Sequence, residues 1–126
     1  MRKEIENWHL QSQKDFVAAE NALNSGDFFA SVFWCQQSVE KGMKSLILLK
    51  SKDKFVPEHS LISLSKKIKM PEKFQGFLKK LSPQYFLARY PDASEDVPFE
   101  LYDKDLTKEF IIKSGEILSW IKKQLI

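Results

Sequence analysis

The stretch that decides the fold is FFASVFWCQQSVEKGMKSLILLKS, residues 28–51. Apolar side chains recur along it at steps of three and four, which is the period of one helix face. They are Phe28, Val32, Cys35, Val39, Met43 and Leu46. Phe29, Phe33 and Ile47 widen this stripe, so the pattern predicts a helix that is buried on more than one side.

A second apolar stripe precedes this helix and predicts another helix over residues 3–24. Its members are Ile5, Trp8, Ser12, Phe16, Ala19 and Leu23. The link between the two helices is NSGD, in which Gly26 suits a C-terminal cap and Asp27 suits the N-cap of the next helix. Because the link is short, the two helices are predicted to form an antiparallel hairpin.

Shorter helices are predicted after the hairpin. A polar connection covers residues 50–60, and Ser60 is expected to cap a helix that ends at Lys67. Residues 70–81 form the next predicted helix, with Pro71 in its first turn. Ser82 is expected to cap a further helix over residues 82–90.

Pro91 is predicted to stop that helix, because proline restricts the preceding residue and cannot donate a backbone hydrogen bond. Residues 91–102 are then expected to form an acidic, extended loop. Asp103 is expected to cap a last helix over residues 104–125. The apolar stripe of that helix is Leu106, Phe110, Ser114, Ile117, Ile121 and Leu125.

The length and composition fit one globular domain over residues 1–126. Hydrophobic residues make up 43% of the chain and charged residues 29%, as in ordinary soluble proteins. Only four glycines and five prolines occur, which is few for the turns of a β-sandwich. The sequence therefore predicts an all-α, up-and-down bundle of about four to five helices that begins with a long antiparallel helical hairpin.

Basic residues are spread along the whole chain. The net charge is +3 and the pI is near 8.9, values that tolerate anionic partners without demanding them. Nucleic-acid-binding domains usually gather their basic residues on one face. The eighteen lysines here show no such gathering, so solvated helix faces are favoured over a groove that follows phosphates.

The single cysteine, Cys35, excludes a disulfide within this chain and a cysteine-rich zinc site. We expect no metal and no cofactor. The segment MRKEIENWHL has no apolar stretch after its basic residues, and no apolar run has the length of a membrane span. A cytoplasmic protein is therefore expected.

The chain has two histidines, His9 and His59. His59 lies just before a predicted helix start, where it is expected to donate to a nearby backbone or carboxylate group. Glu58 and His59 could begin a metal site, but adjacent residues do not share a helix face and further ligands are lacking. The structural role is therefore favoured over metal binding.

The central helix carries a polar patch among its apolar residues. Gln37, Lys41 and Lys44 share one stripe, and Gln36, Glu40 and Lys44 share its neighbour. Polar groups beside a core need partners, since an unpaired one costs about 1–3 kcal/mol. The patch is read either as a structural Glu40–Lys44 ion pair or as part of a binding site beside the core.

One of only two arginines lies in YFLARYPD, residues 85–92. Arginine presents a planar fork to phosphate or carboxylate and stacks on aromatic rings. Tyr85, Phe86 and Tyr90 flank Arg89 and could form an aromatic platform for a base. The structural alternative is an ion pair of Arg89 with Asp92 or Glu95 that holds the following loop.

Three segments together resemble the HEPN domain family: FWCQQSVEKGMKSLIL (33–48), PEHSL (57–61) and YFLARYPD (85–92). Their order and approximate spacing fit that family over roughly residues 5 to 123. The resemblance implies an all-α bundle that dimerises and binds nucleotide or RNA. It also implies a prokaryotic, toxin–antitoxin-like pair with a nucleotidyltransferase as the partner protein.

Many members of that family are metal-independent RNases that carry an Arg-x(4–6)-His motif late in the bundle. No histidine follows Arg89 here, so no acid–base group is expected beside it. Arg2 and His9 have a similar spacing, but Arg2 is at a terminus and the role is not transferred to them.

The sequence is therefore interpreted as a non-catalytic nucleotide-binding module. Its predicted binding residues are Gln37, Lys41, Lys44, Tyr85, Arg89, Tyr90 and Asp92. Two alternatives stay open: an RNase toxin with an atypical active site, and a purely structural protein-interaction bundle.

Overall fold

The computed structural model describes residues 1–52 and 55–126, which form helices and turns without a strand. Its long helices are α1 (Lys3–Ser25), α2 (Phe28–Lys50) and α7 (Lys104–Leu125), and its shorter ones are α3 (Leu61–Lys67), α4 (Gln75–Leu81), α5 (Gln84–Leu87) and α6 (Pro91–Ser94). Two 3₁₀ turns cover Glu72–Phe74 and Pro98–Glu100. The predicted all-α bundle is confirmed. In the predicted 50–60 connection, residues 53 and 54 lie outside the described residues.

Side-chain to backbone hydrogen bonds show that α1 and α2 are antiparallel, as predicted. The Ser12 hydroxyl donates to the Ser38 carbonyl at 2.6 Å, and the Ser31 hydroxyl donates to the Ala19 carbonyl at 2.7 Å. Residue numbers thus rise along α1 while those of their partners on α2 fall. Each bond also satisfies a buried serine hydroxyl that would otherwise be costly to bury.

The helix α2 is the centre of the core, with most of its residues from Ser31 to Leu48 buried. Gly42 lets two helices approach it closely. A Cβ atom at this position would lie 3.1 Å from the Ser12 Oγ on α1 and 3.2 Å from the Ile121 Cδ1 on α7. The missing side chain at Gly42 therefore allows α1, α2 and α7 to meet at one point.

Three predicted helix ends are confirmed. Gly26 ends α1 in the left-handed conformation, with φ of 81°. The Ser60 hydroxyl accepts a hydrogen bond from the Ser63 backbone N–H at 3.3 Å, and the Asp103 carboxylate accepts one from the Leu106 N–H at 2.8 Å. These caps fix where α3 and α7 begin.

Three other predicted end signals act differently. Asp27 precedes α2, but its side chain makes no capping hydrogen bond. Ser82 continues in a helical conformation, and its hydroxyl accepts from the Leu61 N–H at 3.1 Å instead of capping α5. Pro71 lies before the 3₁₀ turn and not within the first turn of a helix. In the case of Ser82, a tertiary contact replaced the local one.

The predicted extended loop over residues 91–102 is wrong. The predicted helix over residues 82–90 is shorter than expected, because α5 already ends at Leu87. Pro91 therefore does not stop it and instead occupies the first position of α6, where its missing N–H costs nothing. The segment then contains a 3₁₀ turn. In α7, Leu106 is exposed and Thr107 is buried in its place, with its hydroxyl on the Asp103 carbonyl at 2.7 Å.

No helix within the described ranges is long and apolar enough to cross a membrane.

Candidate functional site

Arg89 lies between α5 and α6 with its guanidinium against three aromatic rings. Its central carbon is 4.3 Å from the Tyr85 ring centre, 4.7 Å from that of Phe33 on α2 and 4.8 Å from that of Tyr90. The Nε of Arg89 donates to the Tyr85 backbone carbonyl at 2.8 Å. Cation–π attraction and this hydrogen bond therefore fix the position of the guanidinium.

The positive charge of Arg89 has no carboxylate within ion-pair distance in residues 1–52 and 55–126. The ion pair considered as a structural alternative, with Asp92 or Glu95, is thus not formed, and both acidic side chains are exposed. Arg89 itself is only half-buried. An anion that reaches the guanidinium would therefore not have to displace an ion pair first.

Glu40 is a buried carboxylate that joins three side chains. Its Oε2 lies 3.1 Å from the Lys44 ammonium and 3.1 Å from the His59 Nδ1, and its Oε1 accepts from the Gln36 amide at 3.0 Å. The predicted Glu40–Lys44 ion pair is confirmed. These contacts on both carboxylate oxygens satisfy the condition under which a charge is tolerated in a protein interior.

His59 contacts Glu40 on one side and the ring of Tyr85 on the other. Its ring stacks on the Tyr85 ring with centres 6.1 Å apart and planes 16° apart, and Tyr85 also contacts the Arg89 guanidinium. No histidine follows Arg89 in the sequence, but the fold brings His59, thirty positions earlier in the chain, to the Tyr85 ring that Arg89 also contacts. The expected structural bond of His59 to a carboxylate is confirmed.

We call this set the Arg89 cluster: Phe33, Glu40, Lys44, His59, Tyr85, Arg89 and Tyr90. Glu40 and Lys44 are buried, whereas the side chain of His59 is 65% exposed and Tyr90 is 44% exposed. The His59 Nδ1 faces Glu40, so its Nε2 is the ring nitrogen left for solvent or a ligand. The cluster therefore has a fixed, satisfied interior and a polar and aromatic outer surface.

The predicted binding residues of α2 lie in different surroundings. Gln37 donates its amide to the Gln36 side chain at 2.6 Å, which joins it to Glu40. Lys44 is buried and lies 5.6 Å from the ring centre of Trp8. Gln37 is thus linked to the Arg89 cluster through Gln36 and Glu40, and Lys44 is a buried member of the cluster.

Lys41 and Asp92 are not joined to the cluster. The Lys41 ammonium forms an ion pair with Asp15 on α1, whose side chain is 3% exposed. Asp92 is exposed on α6. The charge of Lys41 is therefore already balanced within the helical hairpin, and its role in binding stays a prediction.

In the described parts of the chain, no group of three or more His, Cys, Asp or Glu side chains could hold a metal ion. Glu40 and His59 supply one potential ligand each, and Lys44 occupies the space on the carboxylate that a cation would take. The side chains of the cluster can supply hydrogen bonds, charge and proton transfer.

Sequence reasoning missed Phe33, Glu40 and His59 as members of one cluster with Arg89. Glu40 and His59 do occur inside the segments QQSVEK and PEHSL that carry the resemblance. Their spacing along the chain gives no sign that they meet, because the contact depends on the segment before α3 folding back on α2. Tyr85, Arg89 and Tyr90 were found because they are close in sequence.

Comparisons with known proteins agree with this architecture. The family model described as HEPN domain matches residues 5–124. ST0689, an archaeal HEPN homologue of known crystal structure, is 30% identical, with a TM-score of 0.83 over 100% of both chains. TT1696 from Thermus thermophilus is 24% identical, with a TM-score of 0.88 over 98% of this chain and 99% of that chain, and this likeness concerns the fold alone. No curated protein matches the sequence.

Proposed function

This chain belongs to the HEPN domain family, and we propose that it is a nucleotide-binding module in which Arg89 binds a phosphate group. The observation that supports this proposal most is the state of Arg89. Its guanidinium is held by three rings and one carbonyl, yet no carboxylate of the described chain offsets its charge. A phosphate would accept two parallel hydrogen bonds from such a fork.

The aromatic residues beside Arg89 suit a nucleobase. Phe86 is 56% exposed and Tyr90 is 44% exposed, and their ring centres are 6.4 Å apart. A base stacked on an aromatic ring gains about 1–3 kcal/mol and needs no particular sequence. We propose that one of these rings carries the base while Arg89 binds the phosphate.

The polar residues behind the rings would contribute less directly. Lys44 balances the charge of Glu40, and Glu40 orients His59 at the rim of the cluster. We propose that His59, when its imidazole is protonated on both nitrogens, donates from Nε2 to a second phosphate oxygen. Gln37, Lys41 and Asp92 are kept as outer members of the predicted site, with smaller effects expected because Gln37 and Lys41 are already engaged within the chain.

The family also suggests what the module acts with. We propose a cytoplasmic, single-domain homodimer over residues 1–126 that works with a nucleotidyltransferase in a toxin–antitoxin-like pair, with nucleotide or RNA as ligand. Exposed apolar side chains such as Phe99, Leu101 and Ile112 support a protein interface. Light scattering after size exclusion would reject the dimer if it gave the chain mass of 14.7 kDa.

Thermal shift with a panel of nucleoside mono-, di- and triphosphates tests the proposed binding. A ligand present at about 100 times its Kd adds about 2.7 kcal/mol to stability, which raises Tm by several degrees for a domain of this size. We expect the shift to disappear in Arg89→Ala and to persist in Arg2→Ala. The latter removes the other arginine, whose side chain contacts the Leu48 carbonyl and Glu4. No shift with any nucleotide would reject the proposal.

A second candidate function, RNA cleavage, is supported by the Glu40–His59 contact. A carboxylate on Nδ1 holds the imidazole in the tautomer whose Nε2 can accept a proton, as in other acid–base sites. His59 would take the proton of a ribose 2′-hydroxyl as that oxygen attacks the adjacent phosphorus. Arg89 would stabilise the charge that develops on the phosphate, and water would protonate the departing 5′-oxygen.

This candidate predicts cleavage in the presence of EDTA, with products that end in a 2′,3′-cyclic phosphate and a 5′-hydroxyl. His59→Gln should abolish the cleavage, whereas His9→Gln, which changes the other histidine, should leave it intact. If purified protein cleaves no RNA, or if His59→Gln cleaves as well as the wild type, the enzymatic candidate is rejected and the binding module stands alone.

A further inference from the structure

A cavity of about 220 Å³ lies between α1 and α7, and none of its lining residues belongs to the Arg89 cluster. Its floor is apolar and is made by Phe16, Leu118 and Ile121. A Cβ atom at Gly115 would lie 3.4 Å from the Phe16 ring, at van der Waals contact, so a larger side chain there would take up space in the cavity. A single water needs only about 10–15 Å³ of such space, so the cavity is large enough for a small ligand.

The rim of this cavity is polar and open to solvent, with His9 half-buried and Gln13, Ser119 and Lys122 exposed. His9, Gln13, Ser119 and Lys122 line it, and within the ranges that the structure describes none of them makes a side-chain hydrogen bond or ion pair. Ser12, deeper in the wall, differs because its hydroxyl is bound to the Ser38 carbonyl. An apolar floor bordered by a few polar groups that a ligand can reach is the general form of a small-molecule site.

The charge at the rim determines whether the cavity favours an anionic or a cationic ligand. Lys122 is the one ionised side chain among the lining residues, which include no carboxylate. Burial and the positive charge of Lys122 both lower the pKa of His9, so the imidazole is neutral near pH 7 and offers one N–H donor. An anionic group at the rim would be attracted by Lys122 and could accept a hydrogen bond from Gln13, Ser119 or His9.

We propose that this cavity binds a small monocarboxylate with a flat apolar body, of the aryl carboxylate class. The apolar body would pack against Phe16 and Leu118, and the carboxylate would lie at the rim beside Lys122. The planar ring of Phe16 favours a flat aromatic ligand, since aromatic pairs gain energy beyond the area they bury. This site is independent of nucleotide binding at Arg89.

Titration with benzoate, followed by NMR of backbone amides and of the His9 ring, tests the proposal. Benzamide and benzylamine have the same ring with neutral and positive substituents and are the matched controls. We expect benzoate to shift signals of residues that line the cavity at concentrations up to about 10 mM. Benzoate should also raise the pKa of His9, because a nearby negative charge stabilises the imidazolium. Benzylamine should not bind.

Two variants locate the site. Lys122→Gln should weaken benzoate binding about twofold to fivefold, whereas Lys123→Gln, one position further along α7 and outside the cavity, should leave it unchanged. Gly115→Leu should fill the cavity and abolish binding. If that variant fails to fold, the different effects of Lys122→Gln and Lys123→Gln on benzoate binding still show whether the site is in this cavity.

Three results would overturn the proposal. One is the absence of benzoate-dependent shifts at the lining residues, and another is equal binding of benzamide and benzoate. The third is an equal effect of the Lys122 and Lys123 substitutions. Thermal unfolding of each variant without ligand shows whether a loss of binding reflects a loss of folded protein.

Discussion

Two cations, Lys41 on α2 and Arg89 beside it, are held in opposite ways. Lys41 forms an ion pair with Asp15, a side chain that is 3% exposed, so the protein itself balances its charge. Arg89 is held by aromatic rings and a backbone carbonyl, with no described carboxylate to balance it. A balanced cation thus stabilises the fold, whereas a fixed but unbalanced one is available to a ligand.

The largest expected effect on stability is at Lys41. Lys41→Met would leave the Asp15 carboxylate buried with only the Gln11 amide, which donates to it at 2.8 Å. We expect the free energy of unfolding to fall by about 3 kcal/mol, because removing one partner leaves a buried charge unpaired. Urea denaturation measures it. Lys123→Met, at an exposed position, is the control. If Lys41→Met lowers the free energy of unfolding no more than this control does, the ion pair with Asp15 does not stabilise the fold.

The next largest loss of stability is expected at Glu40, the buried carboxylate of the Arg89 cluster. Glu40→Gln keeps the shape but removes the charge that faces Lys44 and His59, and we expect a loss of about 2 kcal/mol. The chain offers a matched control in Glu109→Gln, since Glu109 and Lys113 form an exposed pair with the same helical spacing at 3.2 Å. That substitution should cost less than about 0.5 kcal/mol. Equal losses in urea denaturation would show that burial of the Glu40 pair has no energetic consequence.

A smaller effect on stability is expected at Arg89. Arg89→Met retains an apolar side chain against the rings and removes cation–π contacts, which contribute about 1 kcal/mol at a partly exposed site. No buried countercharge is left behind, in contrast to Lys41→Met. Thermal and urea unfolding should therefore place Arg89→Met between the wild type and Lys41→Met. A loss as large as that of Lys41→Met would mean that Arg89 is structural.

The smallest effect on stability near neutral pH is expected from the ionisation of Cys35, in the apolar core. Burial raises the pKa of the Cys35 thiol to about 12 from an ordinary value of 9.0. The folded state thus favours the neutral thiol, which contributes stability that is fully present below pH 9 and is lost as the pH rises from 9 towards 12. The stability difference between the wild type and Cys35→Ala should be constant below pH 9 and change only above it. A change near pH 7 would contradict the burial of this thiol.

The sequence was sufficient for the parts of the fold that depend on local signals. The hairpin, the Gly26 end and the Asp103 cap follow from helical periodicity and capping chemistry, which act over a few residues. Ser82 and residues 91–102 were mispredicted, because a tertiary hydrogen bond to Leu61 and a proline-initiated helical turn replaced the expected structure. The Ser82 contact depends on Leu61, which is distant in sequence. The 91–102 structure depends on Pro91, which can start a helix as well as stop one.

The candidate site was predictable only where its residues are consecutive. Tyr85, Arg89 and Tyr90 lie within six positions and were identified together. His59 was not, because its contact with Tyr85 arises from the packing of the segment before α3. Lys41 was placed in the predicted site by its helical stripe, although its ammonium pairs with Asp15, on the other helix of the hairpin. A stripe gives the face of a helix but not the partner of each side chain.

The most direct test of the central claim is calorimetric titration of Arg89→Met and Lys41→Met with the nucleotide that gives the largest thermal shift. Arg89→Met should bind at least about tenfold more weakly than the wild type, since hydrogen bonds to charged groups contribute about 1.5–3 kcal/mol. Lys41→Met, though less stable, should bind within about twofold of the wild type at a temperature where it is folded. Equal weakening in both variants, or unchanged binding in Arg89→Met, would contradict the assignment of the unbalanced cation as the phosphate anchor.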